Sequence, residues 1–242
     1  MYDEITLCIS SCGRLHLLEQ TLESISQFNT YPIVKSIIID DSGKEQNWDP
    51  IVELLDEISD SHEIIINEKN IGQYESLDIM YPKVKTEWIF HCEDDWKFYN
   101  PGWIETSLEI HKHYGPKLFT CELWGDRVKK DVNRILEETH TTKSGLEYKI
   151  INPKYILGGM NQNPGIRRTE TVALLHPYAS RCKDKGPNRR PYHIEAQLAF
   201  EYIRERGYRS AWVIGSEYVD HIGWDDHVFP RELRDEMPDN IH

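Results

Sequence analysis

A short apolar run, from Trp88 to Cys92, is followed by three consecutive acidic residues, Glu93, Asp94 and Asp95. An apolar run of this length is typical of a buried parallel strand, and open α/β sheets bind their ligands at the carboxyl ends of such strands. Three neighbouring carboxylates repel one another unless a cation lies among them, and Mg²⁺ and Mn²⁺ prefer oxygen ligands. The triplet therefore indicates either a divalent-metal site or a solvated acidic turn.

Two earlier loops also carry polar groups at the end of an apolar run. The loop from Ser10 to Arg14 has small side chains, which let the backbone approach an anionic ligand at the start of a helix. It is not a glycine-rich dinucleotide or P-loop motif, and a tight turn with a serine cap explains it equally well. Asp40 and Asp41 end the next run, where a carboxylate can accept hydrogen bonds from a base or a ribose. They also suit a simple turn.

A third loop precedes a predicted helix and contains Asn70, Gly72 and Gln73. Asn and Gly favour a turn, and the amide end of the helix would point at the same crevice as the other two loops. The alternative is an ordinary helix cap.

The first half of the chain alternates between strand patterns and helical patterns, which predicts a mostly parallel sheet flanked by helices. We predict strands at residues 5–10, 34–39, 64–66 and 88–92, and helices at 15–25, 51–58 and 72–80. Later we predict a helix at 101–113, strands at 118–123 and 211–214, and a helical face formed by Ile194, Leu198 and Tyr202. Residues 124–150 indicate a hairpin or an exposed helix, and Pro164-Gly165 and Gly186-Pro187 indicate loops. The polar tail from Asp225 is expected to become ordered only with ligand.

Composition excludes several classes of protein. The 242 residues include 41 acidic and 28 basic side chains, and the net charge of −13 argues against a broad nucleic-acid-binding face. The sequence has no stretch long and apolar enough to span a membrane and no signal-peptide pattern. Its five cysteines are odd in number and form no C-x-x-C pair, which favours free thiols and a cytoplasmic location.

The order of these motifs resembles a glycosyltransferase of the GT-A fold, most closely the family 2 type. The resemblance rests on the S-S-C-G-R-L loop, D-D-S, N-x-G and E-D-D in that order; it covers residues 5–110 well and continues more loosely to about 225. It implies an α/β, GT-A (Rossmann-like) fold in one domain, 1–242. Residues 1–115 would bind the nucleotide-sugar, and 116–242 would carry the acceptor site and the catalytic base.

The resemblance also assigns roles to residues of the first half. The acidic triplet matches the D-x-D motif, with Asp95 as the metal ligand, Asp94 contacting ribose or metal, and Glu93 as an alternative ligand. The expected nucleotide-sugar contacts are Ser10, Arg14, Asp40, Asp41, Asn70, Gly72, Gln73 and Asp94.

Three motifs of the second half extend the resemblance. Glu195 matches the general base, although a glutamate in a first helical turn also stabilises the helix dipole. His221 matches a late histidine that completes the metal site, which favours Mn²⁺ over Mg²⁺; the alternative is a surface histidine. The segment 158–168 matches an acceptor-side loop, in which Asn163, Arg167 and Arg168 would hold sugar hydroxyls or a diphosphate. A basic cluster, formed by Lys183, Lys185, Arg189 and Arg190, suits either an anionic acceptor or solvent.

Together these features predict a metal-dependent hexosyltransferase that moves a sugar from a nucleotide-sugar to a glycan or glycoconjugate acceptor, with inversion. Two alternatives remain. A sugar nucleotidyltransferase would carry a glycine-rich first loop, whereas this loop has only Gly13. A non-catalytic nucleotide- or sugar-binding module would keep the fold without turnover.

Overall fold

The computed structural model describes residues 2–123, 135–154, 161–181, 198, 201, 205–215 and 217–224. Several predictions fall outside these ranges: the loop glycines 158 and 159, the basic cluster at 183–190 with its Gly186-Pro187 turn, Glu195, Tyr202, and the tail from Asp225.

The described strands fall into three sheets. They are β1 (Ile5–Ser11), β2 (Lys35–Asp40), β3 (His62–Ile66), β4 (Trp88–Glu93), β5 (Trp96–Phe98), β6 (Leu118–Glu122), β7 (Ile135–Thr141), β8 (Glu147–Ile151), β9 (Gly165–Arg168), β10 (Arg209–Val213) and β11 (Val219–His221). The described helices are α1 (Leu15–Phe28), α2 (Asp49–Ile58), α3 (Gln73–Met80), α4 (Trp103–Tyr114), α5 (Thr169–Leu175) and α6 (Tyr178–Arg181), with a 3-10 turn at Tyr81–Lys83.

The central sheet has the order β3-β2-β1-β4-β9. Its first four strands are parallel, and β9 runs antiparallel to β4. The predicted parallel strands are confirmed. β1, β2 and β4 are apolar runs buried on both faces, whereas the edge strand β3 is only half-buried. All seven residues of β1 are buried.

Helices cover the two faces of this sheet. On one face, Leu18, Leu22 and Ile25 of α1 pack against alternate residues of β1 and β4. On the other face, Leu77 and Met80 of α3 pack against a second set that includes Cys8 and Ile37. The predicted α/β fold is thus confirmed. No helix in the described part of the chain is long and apolar enough to cross a bilayer.

The second half adds a four-stranded sheet, β6-β10-β8-β7, and a two-stranded antiparallel ribbon, β5-β11. β7 and β8 form the hairpin that was one of the two alternatives for residues 124–150, of which 124–134 lie outside the described residues. The loop prediction at Pro164-Gly165 is wrong for Gly165, which begins β9. A glycine is needed there because a Cβ would lie 2.2 Å from Thr120 Oγ1 of β6.

Candidate functional site

Strand register brings the predicted polar loops to one edge of the central sheet. Ser10 of β1 pairs with Glu93 of β4, and Ser11 pairs with Asp40 of β2. Because these strands are parallel, their carboxyl ends meet at the same edge. Ser10, Asp40 and the acidic triplet are therefore neighbours, as the sequence predicts.

Asp94 is fully buried and joins the first loop to β4. Its Oδ2 accepts hydrogen bonds from Ser11 Oγ at 2.8 Å and from the backbone N–H of Cys12 at 3.4 Å. Arg14 donates to both oxygens, with Nε at 3.3 Å from Oδ2 and Nη2 in very close contact with Oδ1. Thr21 Oγ1 donates to the Asp94 carbonyl at 2.9 Å. Burial raises the pKa of Asp94 to about 6, and the charge of Arg14 opposes that shift.

Asp95 is also buried, but its two carboxylate oxygens differ. Oδ2 lies 2.9 Å from Arg14 Nη1 and 3.3 Å from His221 Nε2. Oδ1 is buried and has no hydrogen-bond partner among the described residues. Burial raises the pKa of Asp95, but the hydrogen bond from His221 and the charge of Arg14 outweigh it, so the pKa lies below its usual value. Asp95 is thus a carboxylate held charged, with one oxygen uncommitted.

The β5-β11 ribbon carries His221 to this position. His221 pairs with Trp96, the residue after Asp95, and its ring packs edge-on against Trp96 at 5.0 Å and Trp224 at 4.6 Å. The backbone N–H of Ile222 donates to the Asp95 carbonyl at 2.9 Å. The ribbon therefore packs residues 221–224 against Asp95.

Asp40 organises the start of helix α1. Its Oδ1 accepts from the Gly13 N–H at 2.7 Å, and its Oδ2 accepts from the Ser42 N–H at 3.3 Å and from the Ser42 hydroxyl. Gly13 has φ +74° and lies against Ser42, a conformation and a closeness that favour glycine. The side chain of Asp40 thus sets the shape of the Ser10–Arg14 loop.

Asp41 organises the third loop in the same way. It accepts hydrogen bonds from Asn67 Nδ2 at 2.8 Å and from the N–H groups of Ile71 and Gly72 at 2.9 and 2.7 Å. Gly72 has φ +109° and precedes α3. Both aspartates are buried, so they act on the loops that line the edge.

The remaining nucleotide-side predictions also lie at this edge. Gln73 Nε2 donates to Glu93 Oε1 at 2.6 Å, which links α3 to the acidic triplet. The Asn70 amide donates to Cys12 Sγ at 3.3 Å. Cys12 thus joins the first and third loops and was not singled out from the sequence.

A loop on the other side of β4 completes the wall. Gly165 of β9 pairs with His91 of β4, so residues 161–164 lie beside the carboxyl end of β4. Buried Glu122 accepts from Asn161 Nδ2 at 3.2 Å and from Asn163 Nδ2 at 2.7 Å. Glu122 follows an apolar strand, the same pattern as Asp40, and that pattern was the signal that could have identified it.

The two arginines of β9 have different environments. Arg167 is buried; its guanidinium donates to Gln162 Oε1 at 2.7 Å, to the Asn161 carbonyl at 2.8 Å and to Tyr81 Oη at 3.1 Å. These hydrogen bonds fix the loop of residues 161–164. Arg168 pairs with Trp88 at the opposite end of β4 and forms an ion pair with Glu87 at 3.0 Å, so the structure does not bring it to the edge.

Two residues of the described chain fit a divalent cation. No group of three His, Cys, Asp or Glu side chains among the described residues is arranged to hold a metal. Asp95 and His221, however, present an oxygen and a nitrogen 3.3 Å apart. Two ligands about 2.1 Å from one ion at right angles are about 3 Å apart, so both atoms can bind one cation. Diphosphate oxygens and water would supply the other ligands, as is usual for Mg²⁺.

Solved structures with the same fold include several glycosyltransferases. TarS residues 1–349 from S. aureus share 14% identity over 89% of this chain and 59% of theirs, with a TM-score of 0.61. The mannosyltransferase PcManGT from Pyrobaculum calidifontis, in complex with GDP-Man and Mn²⁺, shares 11% identity over 87% of this chain and 55% of its own, with a TM-score of 0.59. GalNAc-T7, with UDP, GalNAc and Mn²⁺, shares 13% identity over 89% of this chain and 43% of its own, with a TM-score of 0.58.

The chain spans 36% to 64% of the length of the solved chains that it resembles. At these identities the likeness shows the fold, which is GT-A. No curated protein sequence matches the chain significantly. The family model for glycosyl transferase family 2 matches residues 6–169, which is most of the chain and includes the acidic triplet and, except for Ile5, the four parallel strands of the central sheet. The chain therefore belongs to glycosyl transferase family 2.

Proposed function

We propose that this chain transfers a sugar from a nucleotide-sugar donor to a glycan or glycoconjugate acceptor, with a divalent cation at Asp95 and His221. The observation that carries the proposal is the buried Asp95 Oδ1, which has no hydrogen-bond partner among the described residues, beside an imidazole 3.3 Å from Oδ2. An uncommitted buried carboxylate oxygen is costly unless a ligand uses it. Family membership supports glycosyl transfer in general.

The structures that resemble this chain support the choice of ligands. One TarS structure is a complex with UDP-GlcNAc, and PcManGT is a complex with GDP-Man and Mn²⁺. We therefore propose Mn²⁺, or Mg²⁺, as the cofactor. When bound, the cation supplies positive charge that stabilises the leaving nucleotide diphosphate.

We propose the following roles for the residues of the chain. Asp95 and His221 hold the cation, while Asp40 and Asp41 keep the backbone amides of the two nucleotide-side loops in place. We propose the same edge, with Ser10, Asn70 and Gln73, as the nucleotide contact surface, and Asn163 as an acceptor-side contact. The division into halves at residue 115 and the cytoplasmic location stay predictions.

Glu195, which lies outside the described residues, is proposed as the general base. Its carboxylate would take the acceptor hydroxyl proton as that oxygen attacks the anomeric carbon and the nucleotide diphosphate leaves, which inverts the anomeric configuration. Glu195→Gln should abolish transfer and leave donor affinity within about threefold. A product with retained anomeric configuration, seen by NMR, would contradict this role.

The first test is thermal unfolding with UDP-, GDP-, dTDP- and CMP-sugars, each with Mn²⁺ or EDTA. A ligand present at about a hundred times its dissociation constant adds about 2.7 kcal/mol to the unfolding free energy. We expect one nucleotide class to raise the melting temperature only with Mn²⁺. Asp95→Asn should lose this shift, whereas Asp56→Asn, at a carboxylate whose side chain is 68% exposed, should keep it.

Three results would change the conclusion. No shift with any donor would refute the nucleotide-sugar site. An equal shift in EDTA would refute the metal. A metal-dependent shift without any sugar transfer to a panel of glycan acceptors would favour a binding module.

A further inference from the structure

Arg14 lies in the position of a cation between the two buried aspartates. Its Nη1 is 2.9 Å from Asp95 Oδ2, its Nε is 3.3 Å from Asp94 Oδ2, and its Nη2 contacts Asp94 Oδ1. The side chain of Arg14 is only 15% exposed. One guanidinium therefore serves both carboxylates in a largely buried setting.

Two adjacent buried carboxylates need such a partner. Like charges on adjacent buried residues repel strongly where water is excluded, and each charge also loses its hydration. Arg14 offsets both effects, and its planar fork suits two carboxylates at once. Arg14 follows Gly13, whose N–H is held by Asp40, so the loop that delivers the guanidinium is itself fixed.

Arg14 and the proposed metal share the carboxylate of Asp95, whose Oδ1 is uncommitted and whose Oδ2 accepts from Arg14. The Asp95 Oδ2 atom that accepts from Arg14 is also the one nearest to His221 Nε2. A divalent cation bound between Asp95 and His221 would lie close to the guanidinium, and the two positive charges would repel each other. A nucleotide diphosphate would remove this conflict, because its negative charges attract both cations and give Arg14 a bidentate phosphate partner.

We propose that Arg14 is the resident counter-cation of Asp94 and Asp95, so that a divalent metal binds well only together with a nucleotide diphosphate. The inference rests on the proposed function for the identity of the metal–diphosphate ligand. Arg14 competes with the metal for the carboxylates and binds the diphosphate once both ligands are present. The side chain of Arg14 thereby makes the affinity for the metal depend on whether the nucleotide diphosphate is bound.

Removal of Arg14 distinguishes this role from a purely structural one, because the two roles predict opposite changes in metal affinity. If Arg14 merely kept the carboxylates in place, its removal would weaken metal binding. If Arg14 competes with the metal, its removal strengthens the binding of metal alone, because two carboxylates lose their cation.

The test is Mn²⁺ titration, followed by electron paramagnetic resonance of free Mn²⁺, with and without UDP or GDP. The proteins are the wild type, Arg14→Met, Arg14→Lys and the control Arg206→Met, which removes an arginine from an ion pair with Glu201. Without nucleotide, we expect Arg14→Met to bind Mn²⁺ at least tenfold more tightly than the wild type. Arg14→Lys, which keeps the charge, and Arg206→Met should stay within threefold of the wild type.

The nucleotide arm measures the coupling itself. In the wild type, nucleotide should tighten Mn²⁺ binding at least tenfold; in Arg14→Met this gain should shrink at least tenfold. The double variant Arg14→Met/Asp95→Asn should lose the nucleotide-free Mn²⁺ binding, which assigns the gain to Asp95. If Arg14→Met does not fold, Arg14→Gln, which keeps polar donors without the charge, replaces it.

The inference is overturned if removing the charge at Arg14 leaves nucleotide-free Mn²⁺ affinity unchanged or lowers it. Its failure can be told apart from that of the proposed function. Wild-type protein that binds Mn²⁺ with nucleotide, beside an unchanged Arg14→Met, retains the function and rejects the competition. Tight Mn²⁺ binding by Arg14→Met, with no nucleotide effect in any protein, retains the competition and rejects the donor site.

Discussion

Adding a single methyl group at Gly223 should disturb the candidate site, because residue 223 packs directly against Asp95. The backbone at 221–224 is tied to Asp95 by the hydrogen bond from Ile222, and a Cβ added at Gly223 would lie 2.4 Å from Asp95 Oδ2, 2.7 Å from its Cβ and 2.9 Å from its Cγ. Non-bonded carbon atoms prefer separations of about 3.5–4.0 Å. Gly223→Ala must therefore move Asp95 and the His221 segment apart by about 1 Å.

Two magnitudes follow from this displacement. Overpacking in a tight interior costs about 1–3 kcal/mol. In a domain of this size each kcal/mol lowers the melting temperature by about 2–4 °C. A shift of about 1 Å at a reactive centre can cost about a hundredfold in activity. We expect Gly223→Ala to melt a few degrees lower and to lose most of its affinity for Mn²⁺ with nucleotide.

Calorimetry measures both effects, by scanning for stability and by titration for binding. Gly145→Ala is the matched control, since a Cβ there has no atom within 4 Å and the cost comes only from its φ of +94°. It should lose about 1 kcal/mol of stability and keep its affinity. If Gly223→Ala bound Mn²⁺ and nucleotide within twofold of the wild type, the close contact between residues 223 and 95 would not shape the site, and the reasoning would be refuted.

Three further outcomes are expected. Asp41→Asn should lower the unfolding free energy in urea by about 3 kcal/mol, because a neutral amide cannot replace the buried, charged acceptor of three donors, the Asn67 amide and the Ile71 and Gly72 N–H groups; a loss below about 1 kcal/mol would contradict this. Burial lowers the pKa of His111 to about 3, below the value near 6.5 of an unfolded chain. The unfolded state therefore binds the proton first, and the free energy of unfolding decreases as the pH is lowered from about 6.5 to about 3. His111 should contribute about 1.4 kcal/mol per pH unit there, and His111→Phe should reduce the slope of unfolding free energy against pH by that amount; an unchanged slope would show that His111 is not the cause. Burial raises the thiol pKa of both Cys12 and Cys8, but Cys12 is half-buried and Cys8 fully buried, so mass spectrometry should show alkylation of Cys12 long before Cys8; equal rates would contradict the burial.

The parallel core was predictable because its information is local. The leucine stripe of α1 and the apolar strands β1 and β4 each predict one element from a short stretch of sequence. β1, β2 and β3 are neighbours in chain order, whereas β4 crosses over to pair with β1. The positions of Asp40 and Asp41 followed from the same reasoning, since they end a buried run. How many hydrogen bonds each aspartate accepts did not follow, because its donors come from loops folded by tertiary contacts.

The β5-β11 ribbon and the environment of Arg167 were not predictable from local patterns. Each ribbon strand has only three residues and finds its partner about half a chain away, so neither shows a strand periodicity. Arg167 was expected to hold sugar hydroxyls or a diphosphate because segment 158–168 resembles an acceptor-side loop. The structure surrounds it with carbonyl and amide oxygens of residues 161–163, a compensation that no sequence pattern records.

The ribbon also has a consequence for the growing polypeptide. A ribosome releases the N-terminal part of a chain first, and domains begin to fold as they emerge. The four parallel strands and the acidic triplet at the end of β4 all lie before residue 96, whereas His221 and the segment that packs on Asp95 are made far later. A nascent chain can therefore assemble the parallel strands of its central sheet before His221 is made, and His221 reaches Asp95 only when β11 joins β5.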